Sequence, residues 1–210
     1  MTRIKCCGMT RVEDALLAAR LGADAIGLVF TARSRRQVTM ARARQIAAAM
    51  PPFVATVALF MDDDAELVRQ VIDEIQPTLL QFHGSESDHW CMQFGRAFLK
   101  AIAMGAGAAA LPRLRDYPHA AGLLLDGHDP GEAGGSGKAF DWSLLPADPA
   151  QPVILAGGLD PGNVGRAVRA ARPWAVDVAS GVESAPGIKD PARLAAFIAA
   201  VRAADRAAEP

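Results

Sequence analysis

Residues 122–142 have the sequence GLLLDGHDPGEAGGSGKAFDW. The uninterrupted apolar run at residues 123–125 is typical of a strand that is buried on both faces of a parallel sheet. The run ends at a carboxylate, Asp126, and a loop rich in glycine and small polar residues follows. Two interpretations stay open for this stretch alone. The strand delivers Asp126 into an active site, or Asp126 only ends a strand and the loop only connects two elements.

The same pattern, an apolar run followed by a helical segment, recurs along the whole chain. With residues 123–126 as the sixth, the predicted strands are residues 3–7, 25–30, 53–60, 78–83, 98–102, 123–126, 153–156 and 175–178. The predicted helices are residues 12–21, 40–50, 62–75, 88–95, 108–115, 141–145, 161–171 and 191–206. Thr10 and Glu13 suggest a capping box, and Gly22 suggests the end of the first helix. Thr39 and Asp190 are further predicted caps, and Pro161 is expected in the first turn of its helix.

Regular alternation of strand and helix predicts a parallel sheet of the α/β class. Eight such units in about 200 residues predict a closed barrel rather than an open sheet. Nothing in the sequence marks a linker, so residues 1–210 are expected to form a single (β/α)8 TIM barrel domain.

Composition excludes several functional classes. The formal net charge of −1 argues against general binding to nucleic acid or to a membrane surface. No apolar run reaches the roughly 18 residues that a membrane span needs, and no signal peptide is evident. Three cysteines, two of them adjacent, suit reduced thiols in the cytoplasm rather than a disulfide framework. No metal-binding motif is apparent, and we expect neither a metal nor a cofactor.

A barrel of this kind gathers its site at the carboxyl ends of the strands. The candidates there are Cys7, Arg36, His83, Asp126, Gly157, Gly158, Asp177, Ser180 and Gly181. Phosphate sites commonly use the loops after the seventh and eighth strands. Glycine lets the backbone approach an anion, and consecutive N–H groups can hold one. The sequence therefore predicts a phosphorylated small-molecule substrate, and the glycines of residues 134–137 could fold over the same end.

With these residues in view, the chain resembles the phosphoribosylanthranilate isomerase family of tryptophan biosynthesis over nearly its whole length. The motifs that carry the resemblance are IKCCGMT, QFHGSE, LLLDG, GGSGKAFDW, LAGGLDPGNV and VDVASGVESAPGIKD. The resemblance implies an Amadori rearrangement of N-(5-phosphoribosyl)anthranilate. It makes Cys7 the general base, Asp126 the general acid and Arg36 the partner of the anthranilate carboxylate. It places the phosphate on the backbone at Gly157–Gly158 and Ser180–Gly181.

The chemistry sets requirements for two pKa values. Asp126 must be protonated part of the time near neutral pH, and we expect burial to raise its pKa. The unperturbed pKa of a thiol, about 8.5, needs only modest tuning. Lys5 lies on the same face of the first strand as Cys7 and could lower the thiol pKa. Ala156 and Ala179 stand where serine is frequent in the family, so two hydroxyl donors near the phosphate are missing.

Several alternatives stay open. Lys5 could form a Schiff base in an aldolase-like lyase. The histidine-pathway Amadori isomerase is another alternative, but it uses carboxylates as both acid and base. A non-catalytic phosphate-binding protein is the third. His83 is expected to shape the mouth of the site, and Asp177 either pairs with Lys5 or approaches substrate. A monomer would suffice for catalysis, and both a monomer and a homodimer fit the sequence.

Overall fold

The computed structural model describes residues 1–129, 140–146 and 148–207 and contains a closed barrel of eight parallel strands. The strands are β1 (Arg3–Cys6), β2 (Ala25–Val29), β3 (Ala55–Phe60), β4 (Leu79–Phe82), β5 (Phe98–Ala103), β6 (Gly122–Asp126), β7 (Val153–Leu155) and β8 (Ala175–Val178). Each strand pairs with the next one in the chain, and β8 closes the barrel on β1. The predicted (β/α)8 barrel is confirmed. The predicted glycine loop at residues 134–137 lies outside the described residues.

Helical segments follow the strands and cover the outside of the barrel. The α-helices are α1 (Val12–Leu21), α2 (Met40–Ala49), α3 (Ala65–Ile75), α4 (Asp88–Met92), α5 (Val164–Ala171) and α6 (Pro191–Ala207). After β5 and β6 the chain forms 3-10 segments instead, at Gly107–Asp116 and Trp142–Leu144. Pro112 lies inside the first of these, and its missing N–H weakens an α-helix there. A short hairpin that the sequence did not predict, β9 (Glu183–Ala185) and β10 (Ile188–Lys189), precedes α6.

The predicted cap of α1 is wrong, and two helices, α3 and α5, begin three residues later than predicted. Thr10 does not cap α1: the N-cap is Arg11, without a side-chain bond, and the Thr10 hydroxyl donates to the Gly187 carbonyl. The predicted helix at residues 161–171 begins only at α5, because Pro161 lies in a preceding turn. Thr39 and Asp190 cap their helices as predicted, with Asp190 Oδ1 accepting from two backbone N–H groups.

The core has two layers. The larger lies between the strands and the helices, where Phe60, Phe82 and Phe197 are fully buried. The smaller fills the inside of the barrel with the side chains of Val57, Leu99, Ala101, Leu124, Ile154, Ala156 and Ala175. Packed side chains inside a barrel of this type close it from below, so a ligand can approach only from an end. Among the described residues, no helix has the length and apolar character that crossing a bilayer requires.

Candidate active site

A cleft opens at the carboxyl ends of the strands, as the barrel fold predicts. Of the predicted site residues, its lining includes Cys7, Arg36, His83, Asp126, Gly157, Gly158, Asp177 and Ser180. Gly181 is absent from the lining. Several strands end one residue earlier than predicted, so Cys7, His83 and Ala156 lie just beyond the last paired residues of β1, β4 and β7. Their side chains therefore reach the mouth of the barrel.

Cys7 lies at the end of β1 with its side chain beside β2. Its backbone N–H donates to the Val178 carbonyl at 2.8 Å. A Cβ on Gly27 would come within 2.6 Å of the Cys7 sulfur, so only glycine leaves room for this thiol. The neighbouring Cys6 is fully buried in the outer core, as strand alternation predicts. The thiol at the mouth is thus Cys7.

Burial raises the pKa of the Cys7 thiol above its usual range. The positive charge of Lys5 acts in the opposite direction, as predicted, but only partly offsets burial, while the charge of Asp177 adds to it. The expectation that modest tuning brings this thiol close to neutrality is therefore wrong for the protein without substrate. At neutral pH Cys7 is a thiol.

Lys5 and Asp177 form a buried ion pair on paired positions of β1 and β8. The Lys5 Nζ lies 2.9 Å from Asp177 Oδ1, and both side chains are at most one-tenth exposed. Burial favours a neutral amine, but the charge of Asp177 outweighs it, so the pKa of Lys5 is raised above its ordinary value. A Schiff base requires a neutral amine at the site, and this ammonium instead supports the β1–β8 contact. Asp177 therefore pairs with Lys5, one of the two alternatives predicted for it; it also lines the cleft, and its approach to substrate stays a prediction.

Arg36 is held by a partner that the sequence analysis missed. Its Nε and Nη2 atoms donate to the Glu183 carboxylate at 2.9 and 2.8 Å, a bidentate pair. Glu183 also accepts from the fully buried Lys189 at 2.8 Å, and Lys189 donates to the Cys7 carbonyl at 2.6 Å. Gly8 lies so close that a Cβ there would meet the Arg36 Cδ at 2.5 Å. This network fixes Arg36 and the end of β1 together.

The VESAPGIKD motif contains both missed residues, Glu183 and Lys189. Two opposite charges on either side of a glycine turn are the pattern of a short hairpin whose strands face each other. That pattern could have indicated a paired Glu183 and Lys189. Their contacts with Arg36 and Cys7, however, depend on the closure of β8 onto β1.

Asp126 lies at the end of β6 between two imidazoles. His83 Nε2 is 3.6 Å from Asp126 Oδ2, and His128 Nδ1 is 3.3 Å from Asp126 Oδ1. The two imidazole rings lie 4.9 Å apart and are tilted by 32°. All three side chains are buried, and the Gln81 amide nitrogen lies 3.2 Å from His83 Nδ1. The sequence analysis placed His83 at the mouth but missed His128, which is two residues beyond Asp126.

The expected rise in the pKa of Asp126 is wrong. Burial favours the protonated acid, but the neighbouring His128 and His83 outweigh it and lower the pKa of Asp126 below its usual range. Without substrate, Asp126 is a carboxylate at neutral pH. The sequence analysis found no metal-binding motif, but His83, Asp126 and His128 bring their ligand-type atoms within 4.8 Å of one another.

The loops after β7 and β8 contain the glycines that the sequence predicts for the phosphate end of the cleft. Gly157 and Gly158 have φ values of 78° and 62°, which favour glycine. Among the backbone bonds of the described residues, none has either N–H as its donor. Ser180 lines the same region, whereas a Cβ on Gly181 would come within 1.9 Å of the Leu159 carbonyl oxygen. Gly181 therefore lets the β8 loop pack against the β7 loop.

Comparison with known proteins identifies the family of this chain. Residues 4–200 match the family model described as N-(5'phosphoribosyl)anthranilate (PRA) isomerase. The chain belongs to this family. An N-(5'-phosphoribosyl)anthranilate isomerase of Pseudomonas aeruginosa strain UCBPP-PA14 is 53% identical over 204 residues, which cover 97% of both chains.

Solved members of the PRA isomerase family have the same fold. The crystal structure of phosphoribosyl anthranilate isomerase from Thermotoga maritima is 39% identical, with a TM-score of 0.89, and the match covers 97% of this chain and 100% of that one. Another such isomerase was solved in complex with reduced 1-(o-carboxyphenylamino)-1-deoxyribulose 5-phosphate. It is 35% identical, with a TM-score of 0.86 and the same coverage. The predicted family is thus confirmed, and the chain is an isomerase of tryptophan biosynthesis.

Proposed function

We propose that this chain converts N-(5-phosphoribosyl)anthranilate to 1-(2-carboxyphenylamino)-1-deoxyribulose 5-phosphate, with Asp126 as the general acid and Cys7 as the general base. One observation carries the proposal: a thiol and a carboxylate, on strands that are not neighbours, line one cleft beside glycine loops suited to phosphate. The homologue that binds the reduced product analogue supports this substrate class.

The reaction has two proton transfers. Asp126 gives a proton to the furanose ring oxygen, and the ring opens to a Schiff base. Cys7 then takes the proton from C2 of the sugar, which gives an enolamine that tautomerises to the ketone. Both steps are general acid–base catalysis, and every group that they require comes from side chains of this chain.

The protonation states without substrate are the reverse of those that the reaction requires. Cys7 is a thiol and Asp126 is a carboxylate, because burial raises the first pKa and the histidines lower the second. The reactive pair is a thiolate and a carboxylic acid, and it contains the same number of protons. Transfer of one proton from Cys7 to Asp126 interconverts the two forms.

The rest of the cleft is suited to the two ends of this substrate. Phosphate would rest on the N–H groups of Gly157 and Gly158, with Ser180 and the neighbouring Gly181 completing that end. Arg36 would bind the anthranilate carboxylate. Glu183 occupies its Nε and Nη2 edge, which leaves the Nη1 hydrogens for a ligand. A guanidinium held on one edge loses little side-chain entropy when it binds a carboxylate on another.

Turnover of freshly prepared phosphoribosylanthranilate, followed by the loss of its fluorescence, tests the proposal. We expect activity in the unmodified chain and a loss of at least about a hundredfold in Cys7→Ser and in Asp126→Asn. Cys6→Ala is the matched control, because Cys6 is the adjacent thiol but faces the outer core. Activity that survives either active-site change would remove that residue from its role. Absence of turnover in the folded, unmodified chain would disprove the reaction itself.

A further inference from the structure

A cluster of three potential metal ligands lies at the mouth of the barrel and consists of His83, Asp126 and His128. Two imidazole nitrogens face the two oxygens of one carboxylate, at 3.6 and 3.3 Å. The three side chains are between 3% and 8% exposed. Neither His83 Nε2 nor His128 Nδ1 has a hydrogen-bond partner among the described residues, although both atoms are buried. Buried polar atoms without partners are uncommon and call for an explanation.

We propose that this cluster is a binding site for a divalent transition metal, best fitted by Zn²⁺, and that the bound ion blocks the isomerase reaction. A tetrahedral zinc ion with bonds of about 2.0–2.2 Å has ligand atoms roughly 3.3–3.6 Å apart. The separations of 3.6 and 3.3 Å have this length, although each ends on a different oxygen of Asp126. One ligand atom from each of the three residues lies within 4.8 Å of the others, so the cluster would have to contract to surround one ion.

The ligand types select the metal. Two imidazoles and one carboxylate suit zinc and its first-row neighbours, whereas magnesium and calcium prefer oxygen ligands alone. Three protein ligands leave the fourth position of a tetrahedral ion open, and His83 and Asp126 line the substrate cleft. The open position therefore faces the space that substrate would occupy.

Neighbouring groups are already arranged to orient the ligands. Gln81 lies against His83 Nδ1 at 3.2 Å, and its own Oε1 has no hydrogen-bond partner among the described residues. Exchange of the amide oxygen and nitrogen by a half-turn would let Oε1 accept from Nδ1–H, which frees the Nε2 lone pair for a metal. His128 is held through its backbone: its N–H lies 3.3 Å from Asp126 Oδ1, and its carbonyl accepts from Gly105 at 3.0 Å.

The consequence for the proposed reaction follows from position. An ion on Asp126 would occupy the carboxylate that the reaction requires, and His83 and Asp126 line the cleft in which substrate would bind. Zinc would therefore be a reversible inhibitor that competes with substrate for the cleft. Only this consequence rests on the proposed function; metal binding can be measured without it.

Titration calorimetry with Zn²⁺ and visible absorption with Co²⁺ on the full, untagged chain test the site. We expect one ion per chain and Co²⁺ bands of a tetrahedral nitrogen and oxygen site. His128→Phe keeps an aromatic ring beside His83 but removes a ligand, and should weaken binding by about a hundredfold or more. His83→Phe should do the same, so the test does not depend on the folding of one variant. His119→Gln is the control, since His119 pairs with Asp88 at 2.7 Å elsewhere on the surface.

Three results would overturn the site: no Zn²⁺ binding, binding that His128→Phe and His83→Phe leave unchanged, or near-ultraviolet thiolate bands that assign Co²⁺ to a cysteine. Inhibition by Zn²⁺ that a chelator reverses, and that His128→Phe resists, would establish the functional consequence. Metal binding to a chain that shows no turnover even after a chelator has removed the metal would leave the site standing and disprove the isomerase reaction instead.

Discussion

The ends of β1 and β6 present the two proposed proton-transfer groups in opposite surroundings. Cys7 lies between charged groups, with the Lys5–Asp177 ion pair on one side and Lys189 on its carbonyl. Asp126 lies between two imidazoles. Burial raises the pKa of the thiol, while the imidazoles lower that of the acid despite burial. In the proposed reaction, a proton must therefore move from Cys7 to Asp126 before the pair can act.

The largest expected effect comes from substituting Cys7 and Asp126 together. If Cys7 and Asp126 exchange one proton, they act as a unit, and their substitutions are not additive. We expect Cys7→Ser combined with Asp126→Asn to lose activity by about 10²–10⁴-fold, no more than the worse single variant. Single-turnover rates of the three variants measure this. Losses that multiply would show that the two groups act independently.

The network at β1 gives the next effect. Glu183→Gln removes the charge that pairs with Arg36 and Lys189, and breaking such a buried pair costs about 3 kcal/mol in the free energy of unfolding. KM should rise about tenfold while kcat falls less, because Arg36 loses its fixed position. Denaturant unfolding and steady-state kinetics measure the two changes. Arg44→Gln, which affects an exposed pair with Glu74, is the control. A fall in kcat as large as the rise in KM would contradict a positioning role.

Two substitutions that should shift the pKa of the Cys7 thiol in opposite directions test its surroundings. Lys5→Met removes a charge that lowers the thiol pKa, and Asp177→Asn removes one that raises it. In a Cys6→Ala, Cys91→Ala background, alkylation of Cys7 at neutral pH should slow several-fold, roughly 3–10 times, in the first variant and accelerate similarly in the second. The pH dependence of the alkylation rate gives the direction of each shift. Shifts of the same sign would mean that repacking, not charge, controls the thiol.

The smallest expected effect is a flat pH profile. The pKa of the Cys7 thiol is raised, so Cys7 keeps its proton through neutral pH. It loses the proton only at a pH above the usual pKa range of a cysteine. If the reactive form arises by transfer of that proton, kcat/KM should change by less than about twofold from pH 7 to 8.5 and fall only above it. A rate that climbs with pH across this interval would show that simple ionisation of Cys7 produces the base.

Much of this structure follows from local pattern. The apolar runs predict all eight strands, because a strand buried on both faces has few polar residues. A helix cap was predicted wrongly where the capping side chain bonds a residue that is far away in the chain. Thr10 has the sequence of a cap, yet its hydroxyl bonds the Gly187 carbonyl, which lies near it only in the folded barrel. Pro112 lies in the helix predicted at residues 108–115, and the segment containing it is a 3-10 helix.

The candidate active site was also predictable only in part. Chemical identity at the strand ends was evident from the sequence, and Cys7, Arg36, His83 and Asp126 all line the cleft. The direction of both pKa shifts was not, because it depends on burial in the folded barrel and, for Asp126, on the imidazoles of His128 and His83. His128 lies two residues beyond Asp126, so their proximity could have been predicted, but its contact with the His83 ring could not.

The sequence by itself determined the barrel and the residue types at its mouth, since strand periodicity and helix spacing are local properties of the chain. Tertiary structure alone decided which charges meet. Closure of β8 on β1 brings Asp177 to Lys5 and Glu183 to Arg36, and the parallel order of β4 and β6 brings His83 to Asp126. Electrostatic energies depend on separations of a few ångströms between groups far apart in the chain. Protonation states and any affinity for a cation are therefore properties of the fold.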